Sequence, residues 1–149
     1  MKVYADTSFL VSLYSPDAHS IIAAREIQRL DPIVMLTPLG ELELANALEL
    51  RIFRKEATAA AIRAAQTKIR EHVGAGFFSF QPMPPAVYER ALRMARRHTA
   101  RLGVRTLDIL HVACAALLEA ERFLTFDDRQ RRLARAVLLK TGPEEQRGR

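Results

Sequence analysis

Asp6, Glu43, Asp108 and Asp127 each stand at the edge of a different apolar segment: Val3-Tyr4-Ala5-Asp6-Thr7-Ser8, Glu41-Leu42-Glu43-Leu44-Ala45-Asn46, Thr106-Leu107-Asp108-Ile109-Leu110-His111 and Phe123-Leu124-Thr125-Phe126-Asp127-Asp128. Carboxylates gathered in one place repel each other unless bound protons or a cation offset the charge. A hard divalent cation such as Mg²⁺ takes oxygen ligands, commonly one or two carboxylates together with substrate phosphates. If the four acids meet in space, the chemistry they could support is metal-dependent hydrolysis of a phosphodiester. Whether they meet depends on the elements that carry them.

Each acid also has an ordinary structural role. Asp6 directly follows a short apolar strand at Lys2 to Ala5, where Asp is a good helix N-cap; ligand sites in open parallel sheets lie beyond the same strand ends. Glu41 and Glu43 compete for one role. Two residues apart on a helix, they differ by about 200° around its axis. Glu41, in the first turn, complements the helix dipole, whereas Glu43 lies further in, with Asn46 three residues on and able to orient it. We favour Glu43 and keep Glu41 as the alternative. Asp108 sits among Leu107, Ile109, Leu110, Val112 and Ala113, in a helix expected to be buried on most sides, where a charge is costly unless paired or metal-bound. Its bland alternative is a solvated first-turn acid behind a Thr106 cap. Asp127 repeats the strand-acid-helix order of Asp6, and either it or Asp128 caps the helix that follows.

The elements alternate. Strands are expected at 2–5, 33–36, 77–80 and 123–126, with an edge strand at 137–139. Between them, apolar spacing and caps predict helices after Asp6, from Pro16-Asp17 to Asp31, from Thr37-Pro38 to about Arg54, from about Ala57 to His72, from Pro84-Pro85 to Leu102, from Thr106 to Ala120 and after Asp127. Short apolar strands alternating with helices argue for an α/β layered fold with a mainly parallel sheet. No repeat or linker divides the chain, so residues 1–140 are read as one domain and 141–149 as a disordered tail.

Composition narrows the class. A chain of 149 residues with 49% hydrophobic and 27% charged residues is an ordinary globular domain. One cysteine, Cys114, excludes an internal disulfide, and without a Cys/His cluster a structural zinc site is not expected. No apolar stretch reaches the ~18 residues of a membrane span, and the start does not resemble a signal peptide. A cytoplasmic location is expected. The net charge of +6 points to an anionic partner, nucleic acid first, with a coding bias toward Arg as the bland alternative. Positive runs lie at Arg51 to Lys55, Arg90 to Arg105 and Arg129 to Arg135. His111, three residues from Asp108, reads as its buried hydrogen-bonded partner more readily than as a ligand. Cys114 reads as packing. Thr7 and Ser8 lack a convincing His-Asp arrangement.

With these residues in place, the chain resembles the PIN-domain proteins, specifically the VapC family of toxin ribonucleases, over about Val3 to Leu139. Asp6-Thr7-Ser8 matches the opening Asp-Thr-Ser/Asn of that family, and Glu43-Leu44-Ala45-Asn46 its second acid. Leu107-Asp108 through Ala113 matches the third and Thr125-Phe126-Asp127 the fourth, in the same order. The resemblance implies a three-layer α/β/α PIN-like fold with a short, mainly parallel central sheet. It implies Mg²⁺ or Mn²⁺ bound by the acidic cluster and endonucleolytic hydrolysis of RNA, so that Asp6, Glu43, Asp108 and Asp127 are both catalytic and metal-holding. Thr7, Thr125, Asn46 and Arg105 are supporting candidates. It also implies a homodimer neutralised by a small cognate antitoxin. The alternative is a nucleic-acid-binding regulatory protein that keeps the fold without catalysis.

Overall fold

In a computed structural model of the chain, residues 1–144 are described. Five strands, β1 (Lys2–Ala5), β2 (Ile33–Leu36), β3 (Phe78–Phe80), β4 (Arg122–Leu124) and β5 (Thr141–Gly142), form one sheet in the order β3-β2-β1-β4-β5. Every pairing is parallel. The described helices are α1 (Thr7–Tyr14), α2 (Ser20–Leu30), α3 (Pro38–Phe53), α4 (Ala59–Gly74), α5 (Val87–Leu102), α6 (Thr106–Leu117) and α7 (Asp128–Ala136).

The two-residue period of the strands divides their side chains between two cores. Tyr4, Met35 and Phe123 face a core shared with α5, α6 and α7; Val3, Ala5, Val34, Leu36 and Leu124 face another built on α1, α3 and α4. Sheet and two helical layers give the expected α/β/α sandwich. Tyr4 and Phe123 stack with ring centroids 5.8 Å apart, and a buried side chain such as Phe123 contributes ~2 kcal/mol.

Helix boundaries follow local chemistry. Thr37 caps α3 by accepting from the Gly40 N–H at 3.2 Å, with Pro38 at the first helical position. Gly103 ends α5 at φ 64°, a conformation glycine adopts without a Cβ clash.

Four expectations change. α2 starts at Ser20, because Pro16 and Asp17 form a turn bound to Arg51. α6 ends at Leu117 rather than Ala120. Val137 to Leu139 is not a strand: Leu138 has φ 66° and is exposed. The edge strand comes later, at Thr141–Gly142, where Lys140 and Gly142 carbonyls accept from Phe123 and Thr125. A Cβ on Gly142 would stand 2.7 Å from Glu26 Oε1 and 2.9 Å from Leu124 Cδ2, so a larger residue there would have to push those side-chain ends aside. The expected tail at 141–149 therefore begins with ordered structure, and 145–149 lie outside the described residues.

Candidate active site

From β1 the chain steps outward to β2 and β3, then crosses to β4 and β5 on the other side. This reversal leaves a crevice at the carboxyl ends of β1 and β4, the usual ligand position in such sheets. Asp6 leaves β1 there, and Thr125-Phe126-Asp127 leaves β4 beside it.

Asp6 is fully buried and caps α1. Its Oδ1 accepts from Phe9 N at 2.9 Å and Ser8 Oγ at 2.7 Å, and its Oδ2 from Thr125 Oγ1 at 2.6 Å. Burial pushes its pKa up; the bonds from Thr125, Phe9 and Ser8 oppose that shift without cancelling it. Two hydroxyls lock the two strand exits together. Thr125 Oγ1 also accepts from Asp127 N at 2.9 Å, and Ser8 Oγ accepts from Phe126 N at 3.0 Å.

Asp127, not Asp128, caps α7, its Oδ1 accepting from Gln130 N at 2.9 Å. Asp108 is buried at 4% exposure, so the solvated first-turn reading fails. The cap position of α6 is Arg105 rather than Thr106, and Asp108 Oδ2 accepts from the Arg105 N–H at 3.0 Å and its Nε at 3.2 Å. Arg105 Nη2 lies 3.8 Å from Asp127 Oδ2. One guanidinium thus stands between two of the acids, and Asp108 ahead of Asp127 and Glu43 raises its pKa.

Glu43 and Glu41 are separated as their spacing requires. Glu43 Oε2 accepts from Thr7 Oγ1 at 2.9 Å and pairs closely with His111 Nε2. Partial burial raises the Glu43 pKa, but His111, Thr7 and Arg105 together bring it below the ordinary value. Glu41 instead lines an apolar groove with Leu44, Leu48, Ile69 and Phe80. Asn46 is exposed and makes no hydrogen bond to Glu43.

His111 is buried, but its partners are Tyr4 and Glu43 rather than Asp108. Tyr4 Oη lies 2.9 Å from Nδ1. Burial raises the Tyr4 pKa, and the other ring nitrogen, Nε2, meets Glu43. Ser8, read from sequence only within the Asp6-Thr7-Ser8 stretch and as no nucleophile, supports Asp6 directly. The Asp-x-Ser spacing was its available signal, because a hydroxyl two residues after a capping Asp folds back onto the carboxylate. Cys114 is fully buried, its thiol pushed up to about 11 by burial. In the basic run 129–135, Arg131 is buried and donates to the carbonyls of Pro143 and Thr125, so part of that run supports the fold.

The acids offer only oxygen donors, which suits a hard divalent ion. Asp6 Oδ2 accepts one hydrogen bond, within the capacity of a carboxylate oxygen to accept a second. Arg105 already brings a positive charge against Asp108 and Asp127. Among the described residues, no three His, Cys, Asp or Glu side chains form a ready metal cage. An all-oxygen donor set of this kind would suit a hard divalent ion that keeps several of its waters, the usual habit of Mg²⁺.

The sequence profile of the PIN domain matches residues 3–136, and the chain belongs to that family. Similar solved structures include VapC20 of Mycobacterium tuberculosis, a sarcin-ricin loop cleaving toxin, with 22% identity and TM-score 0.66 over 87% of this chain and 93% of that one. VapBC2 of Rickettsia felis, bound to a DNA fragment from their promoter, gives 12% identity and TM-score 0.66, covering 95% and 98%. FitAcB of Neisseria gonorrhoeae gives 13% and 0.64, covering 95% and 96%. No curated protein matches the chain by sequence.

Proposed function

We propose that the chain is a divalent-metal-dependent endoribonuclease, the toxin of a type II toxin-antitoxin pair. One observation carries the reading: Asp6, Glu43, Asp108 and Asp127 arrive from four separate elements at the carboxyl end of a PIN-family sheet, tied there by Thr7, Thr125 and Arg105. The structural likeness to a toxin that cleaves the sarcin-ricin loop supports RNA as the substrate class.

Asp6, Asp108 and Asp127 would hold Mg²⁺ or Mn²⁺, with Glu43 completing the shell. Such an ion, when bound, lowers the pKa of a coordinated water and offsets charge on phosphoryl oxygens. The chain's own residues fix the donors. Thr125 and Ser8 aim the Asp6 carboxylate, and Thr7 and His111 hold Glu43. Arg105, 67% exposed at its side chain, is placed to meet a phosphate, and such contacts position RNA without reading its sequence.

A small cognate antitoxin and a homodimer are the partners this reading requires, in the cytoplasm. The hairpin of α3 and α4 is the proposed partner surface: Leu42 and Phe53 are exposed on it, and Val73 and Phe80 rim its apolar groove. Among the described residues no helix is long and apolar enough to cross a membrane.

The test is cleavage of a structured RNA pool by antitoxin-free protein with Mg²⁺, Mn²⁺ or EDTA, beside Asp108→Asn. Cuts that need the metal and vanish in the variant are expected. Tight RNA binding without cleavage by the folded protein would favour the non-catalytic alternative.

A further inference from the structure

Next to the acids, a cavity of about 410 Å³ opens between the start of α1, the turn before α2 and the end of α3. It shares Thr7, Ser8 and Asp127 with the candidate active site. Phe126 and His19, which line it, belong to a column of three nearly parallel rings running from core to surface. Buried Phe9 lies 5.4 Å from Phe126 at 15°, and Phe126 lies 4.4 Å from His19 at 14°. His19 ends the column and is exposed.

An exposed imidazole at the end of a column would ordinarily be mobile. This one is held. Its backbone N–H donates to Asp17 Oδ1 at 2.8 Å, while Asp17 Oδ2 accepts from Arg51 Nη2 at 2.6 Å and Ser12 Oγ at 2.8 Å. Arg51 Nη1 also donates to the Ser15 carbonyl at 3.1 Å and to its hydroxyl at 3.0 Å. Phe126 is tied to the acids through Ser8, which accepts its N–H and donates to Asp6. Arg54 lines the same cavity, with no ion pair to its guanidinium among the described residues. Rigid rings and a guanidinium beside a phosphodiester-cleaving centre match the way proteins take up unpaired bases, by stacking on aromatic or Arg planes.

We propose that this cavity is a nucleobase subsite, in which an unpaired base next to the scissile phosphate stacks on the outer face of His19, whose inner face rests on Phe126, with Arg54 facing the backbone of the same nucleotide. The proposal rests on the nuclease reading for its substrate. It makes His19 the specificity residue, with Phe126 positioning its ring, and favours RNA loops over duplexes.

The test is fluorescence quenching of single-stranded RNA oligonucleotides carrying 2-aminopurine at successive positions. They are titrated in EDTA with the full chain and with His19→Ala and His19→Phe. The wild type is expected to quench the probe at a preferred position. His19→Ala should bind roughly 5- to 100-fold more weakly, the equivalent of ~1–3 kcal/mol per stacked base, and His19→Phe should restore quenching. Circular dichroism should leave both variants folded, since His19 lies at the surface. Equal quenching by His19→Ala, or none by the wild type, would overturn the subsite. The two readings fail separately. Metal-dependent cleavage without His19-dependent quenching removes the subsite alone, and quenching without cleavage removes the nuclease assignment alone.

Discussion

Asp6 and Asp127 begin as the same local design and end in different environments. Each leaves a central strand, takes extended backbone angles and caps the next helix through the third residue's N–H. Asp6 lies at the middle strand, under α1 and the β4 exit, and is fully buried. Asp127 is one strand outward, with a quarter of its side chain exposed. Burial raises the pKa of Asp6; Asp127 faces water and the Arg105 guanidinium instead. Local sequence sets the cap, and position in the sheet sets the electrostatics. The same cap thus leaves one carboxylate desolvated and the other partly hydrated beside a guanidinium.

The largest expected break in this comparison is Asp6→Asn. Asn caps as well as Asp and removes a buried charge, so thermal stability should hold or rise. Cleavage should fall at least ~10²-fold, because losing even an outer-shell partner of a metal ligand costs 10–100-fold. Melting and RNA-cleavage rates on the same preparation check both parts. Thr125→Val strikes both acids, removing the donor to Asp6 and the acceptor for Asp127 N–H. It should cost ~1–3 kcal/mol in urea unfolding and lower activity roughly 10–100-fold, with Thr125→Ser restoring most of each.

Asp127→Ala against Asp127→Asn sharpens the outer half. The alanine variant should lose ~1 kcal/mol of stability with its cap, the asparagine variant little, and both should lose cleavage alike. Equal stability would show that the cap is not what Asp127 contributes. The smallest effect is a pH calibration on a third carboxylate. Asp17 is partly desolvated, which opposes ionisation, but Arg51 and Ser12 bonds outweigh this and lower its pKa. A depressed folded pKa means stability that is present above the ordinary Asp range near pH 4 and lost as pH falls through the folded value. Acid unfolding curves of the wild type and Asp17→Asn should therefore differ above pH 4 and converge below it.

Much of the fold could be read from local pattern, because alternating apolar strands and capped helices carry their own period. The expectation failed where distant contacts decide. Thr141–Gly142 pairs with β4 where a Cβ on Gly142 would crowd Glu26 and Leu124, while Val137 and Leu139 pack against the core and Leu138 between them turns out to solvent. The four acids were visible as types at element edges, yet their company was not. Tyr4, His111 and Glu43 form one hydrogen-bonded line across separations of 107 and 68 residues, which no local spacing encodes. Asn46, three residues from Glu43, was the nearer guess and faces water. Arg105 meets Asp108 within its own helix start, but its contact with Asp127 depends on how α6 meets α7.

The central question is whether Asp6 and Asp127 serve one ion. Calorimetric titration of Mn²⁺ into metal-free wild type, Asp6→Asn and Asp127→Asn measures this without any RNA. The prediction is saturable binding by the wild type that is lost or at least ~10-fold weaker in both variants. Unchanged Mn²⁺ binding in either variant, or no binding by the folded wild type, would contradict a shared centre.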